Sequence, residues 1–213
     1  VAKPVSDIEI VNLALLQIHE AGVTTLSDTN NVVSTMGRNL VAPTRRATLG
    51  NYCIWNFAKK RTYISKDNNT APAFDYESRY LLPNDFIRLV QVGTEEDQWD
   101  PQLYDIEGRY ILTNDSDASI PIIYVRDVEE VNEWSPLFVD LVVLELAVRL
   151  CVPVTGDRLL KRDLVAERDG KIAEAAMVDH QERPVQVIEV DPIRDARMLG
   201  SEIPQLRVPS ADW

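Results

Sequence analysis

The spacing of apolar residues changes twice along this chain, and that double change limits the fold more than any single motif. Ile8, Val11, Leu15 and Ile18 recur at intervals of three and four, the period of a helix with one buried side. Ser6 and Glu9 have the spacing of a capping box, and Gly22 is the expected left-handed cap at the far end. A second helix is predicted over about 31–50, with Val33, Met36, Leu40 and Ala47 as its buried stripe. Arg38, Arg45 and Arg46 fall on its polar face, and Pro43 is expected to kink it. The aromatic-rich stretch 51–58 reads as a helical turn packed into the core, leading to an extended piece over 61–65.

From 62 to 127 the period becomes two. Phe74, Tyr76, Ser78 and Tyr80 alternate with polar residues, as a half-buried strand does. Further strands are predicted over 87–92, around a Glu107-Gly108 turn within 104–112, and over 120–125, with an acidic loop over 93–100. The helical period then returns. Ser135 is the expected cap and Pro136 the first helical residue. Leu137, Leu141, Leu144, Ala147 or Val148, and Cys151 fill one face, and Pro153 is expected to stop the helix. Thr155-Gly156-Asp157 opens a last helix to about 182, with Leu160, Leu164, Ile172, Ala175 and Ala176 on its apolar side.

Beyond 184 no period survives, and Pro184, Pro192, Pro204 and Pro209 punctuate short apolar pieces. Such a segment builds no core of its own. The pattern predicts an α+β fold. A helical bundle (1–61 and 128–183) carries an inserted small antiparallel β-domain (62–127), followed by an extended C-terminal tail (184–213).

Charge narrows the function. The formal net charge is −12 over 213 residues, and an acidic surface repels phosphate, which disfavours ordinary nucleic-acid binding. It does not exclude DNA as a passenger, because a wall that repels DNA lets it slide. The longest apolar run, 137–150, is interrupted by Asp140, Glu145 and Arg149, short of the roughly 18 residues that span a bilayer. The first residues lack the basic-then-apolar pattern of a secretory leader, and since the first residue is Val1, a preceding residue or two is expected. Cys53 and Cys151 sit in apolar contexts without zinc-site spacing. They read as buried free thiols, which suits a reducing cytoplasm.

Signs of chemistry are missing from the sequence. His19 reads as a helix-end residue and His180 as solvated surface. Phosphate-loop, dinucleotide, nucleophile-elbow and zinc-protease motifs do not occur. Glu95-Glu96 and Glu129-Glu130 are adjacent, so their side chains diverge. Asp115-Ser116-Asp117 lacks the other ligands of a calcium loop. Trp55, Phe57, Tyr63, Phe74, Tyr76 and Tyr80 have no basic groove beside them, so packing of the β-domain on the helices explains them better than base stacking. No catalytic, cofactor or metal residue is expected, and the chain is not expected to be an enzyme.

The order of these pieces resembles the tail tubular protein A family, the head-to-tail adaptors (connectors or gatekeepers) of short-tailed phages. The resemblance runs over about 8–180. It begins at Ile10-Val11-Asn12-Leu13-Ala14-Leu15 and Thr25-Leu26-Ser27-Asp28, then the arginine-bearing helix over 38–49. The most specific piece is Trp55-Asn56-Phe57-Ala58-Lys59-Lys60-Arg61. Phe74-Asp75-Tyr76, the run Tyr80-Leu81-Leu82-Pro83-Asn84-Asp85-Phe86-Ile87-Arg88, the 104–113 hairpin, Tyr124 and Ser135-Pro136-Leu137-Phe138 follow. Pro43 and Gly156-Asp157 depart from the pattern. The resemblance implies a helical bundle with a β-domain, forming a dodecameric ring between the portal protein of the capsid vertex and the tail nozzle. Such a ring lengthens the DNA channel within the virion, after assembly in the host cytoplasm, and the family has no catalytic residues.

A ring subunit needs two complementary flanks. Arg38, Arg45 and Arg46 against Asp157, Asp163 and Glu167 are the expected pair. The tail is the expected grip on the portal, with Leu206 and Trp213 as anchors and Arg194, Arg197 and Arg207 meeting portal carboxylates. Two other readings stand beside this one: an adaptor of a long-tailed phage, and a small acidic regulatory binding protein.

Overall fold

The computed structural model describes residues 6–94 and 103–181. They form four helices and two three-stranded antiparallel sheets, so the α+β class holds. In chain order these are α1 (Asp7–Gln17), α2 (Val32–Asn51), β1 (Lys59–Ser65), β2 (Ser78–Leu81), β3 (Phe86–Val92), β4 (Tyr104–Glu107), β5 (Tyr110–Thr113), β6 (Ser119–Arg126), α3 (Pro136–Thr155) and α4 (Arg158–Gln181). Among the described residues, no helix is long and apolar enough to cross a membrane.

The sheets are ordered β1-β6-β3 and β2-β5-β4. The first is the middle layer of three. On β6, Val125 points into the helical core, while Tyr124 and Ile122 point into a second core shared with Tyr80 and Ile111 of the other sheet. Neighbours on a strand face opposite ways, so one strand serves both cores. Two irregularities in the β3–β6 pairing, between Phe86 and Arg88 and between Leu89 and Gln91, let β3 do the same. Ile87 and Val90 go to the helices, Phe86 and Leu89 to the second core. The β4–β5 hairpin turns at Gly108, at φ 58°.

The first two helices meet through small groups. A Cβ on Gly37 would lie 2.8 Å from Val11 Cγ1, so only glycine allows this approach. The inward face of α2 is therefore Ser34, Gly37, Val41, Thr44, Arg45, Thr48 and Leu49. The expected stripe of Val33, Met36, Leu40 and Ala47 flanks that face and is only half-buried. Asn31 caps α2, accepting from the Val33 and Ser34 amides at 2.9 and 3.2 Å. The helix runs through Pro43, which lies on its exposed side.

Three expected helix ends are corrected. Ser6 stands at the cap of α1, but its side chain makes no capping bond. His19, not Gly22, takes the left-handed position, at φ 60°. The Glu20 amide then donates to Leu15 O and the His19 amide to Leu16 O, the pairing of a Schellman ending. Gly22 instead leaves room for Asn12, whose Oδ1 accepts from the Val23 amide (2.8 Å) while Nδ2 donates to Val23 O (3.0 Å). Pro153 does not stop α3. The helix continues two residues beyond it to Thr155, and Gly156 at φ 73° ends it with its amide on Val152 O.

Only β2, from Ser78, realises the strand expected from Phe74 onward. Phe74 itself is 77% exposed, and Asp75 beside it sits at φ 65°. Tyr63 is also exposed, so the packing reading holds for Trp55 and Tyr80, with Phe57 half-buried, and fails for Tyr63 and Phe74.

Candidate functional site

Arg45 was expected on a polar face and is instead 4% exposed. Its Nε donates to Asp127 Oδ1 at 2.8 Å and its Nη2 to Oδ2 at 3.0 Å. Arg46 adds a third bond to Asp127 Oδ2 at 2.7 Å. Arg45 therefore cannot serve as a flank. Burial alone would raise the Asp127 pKa, but the bonds from Arg45 and Arg46 outweigh it and hold the carboxyl below the ordinary range. The same bonds raise Arg46. This cluster joins α2 to the end of β6, and the Asp127 amide donates onward to Asp85 O.

A second joint lies within the first sheet. Asp85 accepts from the Tyr124 hydroxyl at 2.7 Å and from Lys60 Nζ at 3.0 Å. Burial acts to raise Asp85, and these two donors lower it overall. Tyr124 is pushed up, first by burial and then by Asp85. A third joint is Glu145, inside α3. It pairs with Arg168 of α4 at 3.1 Å and Arg149 at 3.3 Å, and accepts from the Tyr52 hydroxyl at 3.3 Å. None of these carboxylates stands out in the sequence as a joint, because apart from Arg149 each partner comes from a distant part of the chain.

The other expected flank residues separate. Arg38, Asp163 and Glu167 are exposed. Asp157 caps α4, its Oδ1 accepting from the Leu159 and Leu160 amides at 2.8 and 3.0 Å. The structure does not bring the arginines of α2 together with these carboxylates inside one copy. Arg194, Arg197, Leu206, Arg207 and Trp213, and the side chain of His180, lie outside the described residues.

Aromatic residues cluster where the bundle meets β1. Phe138 takes three rings edge-on: Trp55 at 4.9 Å, Phe57 at 5.1 Å and Trp134 at 5.1 Å. Both tryptophans use their indole donor, Trp55 to Thr48 O and Trp134 to Val128 O. Beside this cluster opens a groove of about 640 Å³. Trp55, Phe57, Leu137 and Val178 give it apolar walls, and Glu133, Asp140 and Glu174 give it carboxylates. Arg126 pairs with Glu133, and Lys171 holds Glu174 at 2.9 Å. Asp140 makes no direct ion pair among the described residues, but Lys171, raised first by its bond to Glu174, is raised by the charge of Asp140 as well.

Among the described residues, no group of three or more histidine, cysteine or carboxylate side chains has the arrangement of a metal site. The chemistry on view is that of joints and surfaces: buried ion pairs that fix the layers, and an apolar, acid-edged groove beside the aromatic cluster. Among known proteins, no family model and no curated sequence matches the chain.

Proposed function

We propose that the chain is a structural subunit of a phage virion, a head-to-tail adaptor that forms a ring, expected to be dodecameric, between the portal protein and the tail nozzle. The ring extends the DNA channel, and DNA passes without specific binding. The observation that carries this reading is where the adaptor-like motifs meet. Trp55 and Phe57 of one motif pack on Phe138 of another. Lys60, Asp85 and Tyr124, from three motifs, share one hydrogen-bonded joint. Asn12, from the first, fixes the loop at Val23. The motifs on which the resemblance rests thus pack on and bond to one another, which supports reading them as one framework. The net charge of −12 suits a wall along which DNA slides.

The tail over 184–213 is the proposed grip on the portal, through Leu206, Trp213 and the arginines at 194, 197 and 207. The test is to mix the purified chain with the portal protein of the same phage and follow co-migration by size. A joint particle is expected for the full chain. A chain lacking 185–213 should keep its fold and lose the complex. If the shortened chain still joins the portal, the tail is not the grip.

A further inference from the structure

The two ends of α4 carry surfaces that match each other and cannot meet within one copy. At its start, Leu159 is 66% exposed, and Arg158, Lys161 and Arg162 around it are exposed too. Arg162 lies one turn from both Arg158 and Leu159, so they share a patch. Asp157 is bound as the helix cap, and Asp163 pairs loosely with Arg162 at 3.4 Å. Arg158 and Lys161 have no ion-pair partner among the described residues. Arg158 and Lys161 in the first turn, with Arg162 opening the second, stand against the peptide dipoles at the start of the helix. The placement therefore works against α4 itself and calls for a negative partner from outside.

At the other end of α4 lies the apolar groove edged by Asp140, Glu133 and Glu174. Arg158 and Val178 are separated by roughly 30 Å along a helix rising about 1.5 Å per residue, so no copy can place its own first turn in its own groove. We propose that the first turn of α4 in one copy docks in the groove of the next, Leu159 entering between Leu137 and Val178 and the arginines facing Asp140. This contact joins two different surfaces, so it propagates from copy to copy and closes into a ring when its rotation permits. It rests on the ring reading above and names the flanks of that ring, in place of the pairing of α2 arginines with α4 carboxylates.

The test joins carboxylates to amines with a zero-length cross-linker in a mixture of isotope-labelled and unlabelled chain, alone and on portal rings. Linked peptides that combine labels come from two copies. Inter-copy links from Lys161 to Asp140, Glu133 or Glu174 are expected. Asp140→Arg, an exposed change, should weaken copy–copy association by about tenfold or more. Mixing it with a chain carrying Arg158→Glu and Arg162→Glu should restore the association. Rings whose inter-copy links fall elsewhere, or whose association ignores Asp140→Arg, overturn this contact and leave the ring reading standing. A chain that never associates with itself, alone or on the portal, sinks the ring reading and the contact with it.

Discussion

α3 and α4 lie side by side and have nearly the same length, 20 and 24 residues, yet they answer to different demands. α3 buries residues on every side. Phe138, Leu141, Leu144, Leu146 and Leu150 are all within 3% of full burial, and even Glu145 is taken in with its partners. Such all-round burial marks a helix surrounded by its own protein. On α4, Leu164 and Ala175 are buried, while charged side chains and exposed Leu159 and Met177 occupy much of the rest. The difference separates two jobs. α3 holds the layers together, and α4 leaves much of its charged surface exposed among the described residues.

Changes in and around α3 should therefore be costly to folding, and changes on α4 should not. The largest effect is expected for Phe138→Ala, which removes the ring that three aromatics meet. A loss of about 4 kcal/mol in denaturant unfolding is expected, and a loss under about 1 kcal/mol would break the contrast. Next comes Asp127→Ala, at about 3 kcal/mol, because Arg45 stays buried without its carboxylate. The same residue gives a pH signature. Its folded pKa lies below that of the unfolded chain. Its contribution is therefore complete above about pH 4 and is lost as pH falls through the lowered value. In Asp127→Asn that part of the acid dependence should disappear, as read from unfolding midpoints across the acid range.

Glu145→Gln sharpens the comparison at the seam between the helices. It weakens the pairing with Arg168 and Arg149, and a loss of about 1.5 kcal/mol is expected. Leu159→Ser should change stability by less than about 0.5 kcal/mol. A large loss there would mean that α4 shares the folding role of α3.

Local signals made much of this layout readable. Ser135 and Pro136 mark the start of α3, and Ser135 Oγ accepts from the Phe138 amide as a cap should. The apolar, β-branched and aromatic run over 120–125 marks β6, and Gly108 marks the hairpin. What stayed hidden depends on distant partners. Arg38 and Arg45 are seven residues apart, so they point to nearly the same side of α2. Only the junction with Asp127, 82 residues away, covers one and leaves the other exposed. The cap at His19 was obscured because Gly22 looked better suited, and Gly22 is needed instead for the approach of Asn12. The buried stripe of α2 was misplaced because close helix contact selects small residues, which a search for large apolar ones passes over. The groove was hidden for the same reason as the joints: its walls come from the stretch after α2, the start of α3 and the end of α4.

The proposed function requires this chain to assemble with copies of itself and with the portal. The direct measurement is electron microscopy of the purified full-length chain mixed with portal rings of the same phage. Discrete rings of the chain stacked coaxially on the portal, with one continuous channel, are expected. Portal rings left bare beside monomeric chain would contradict it.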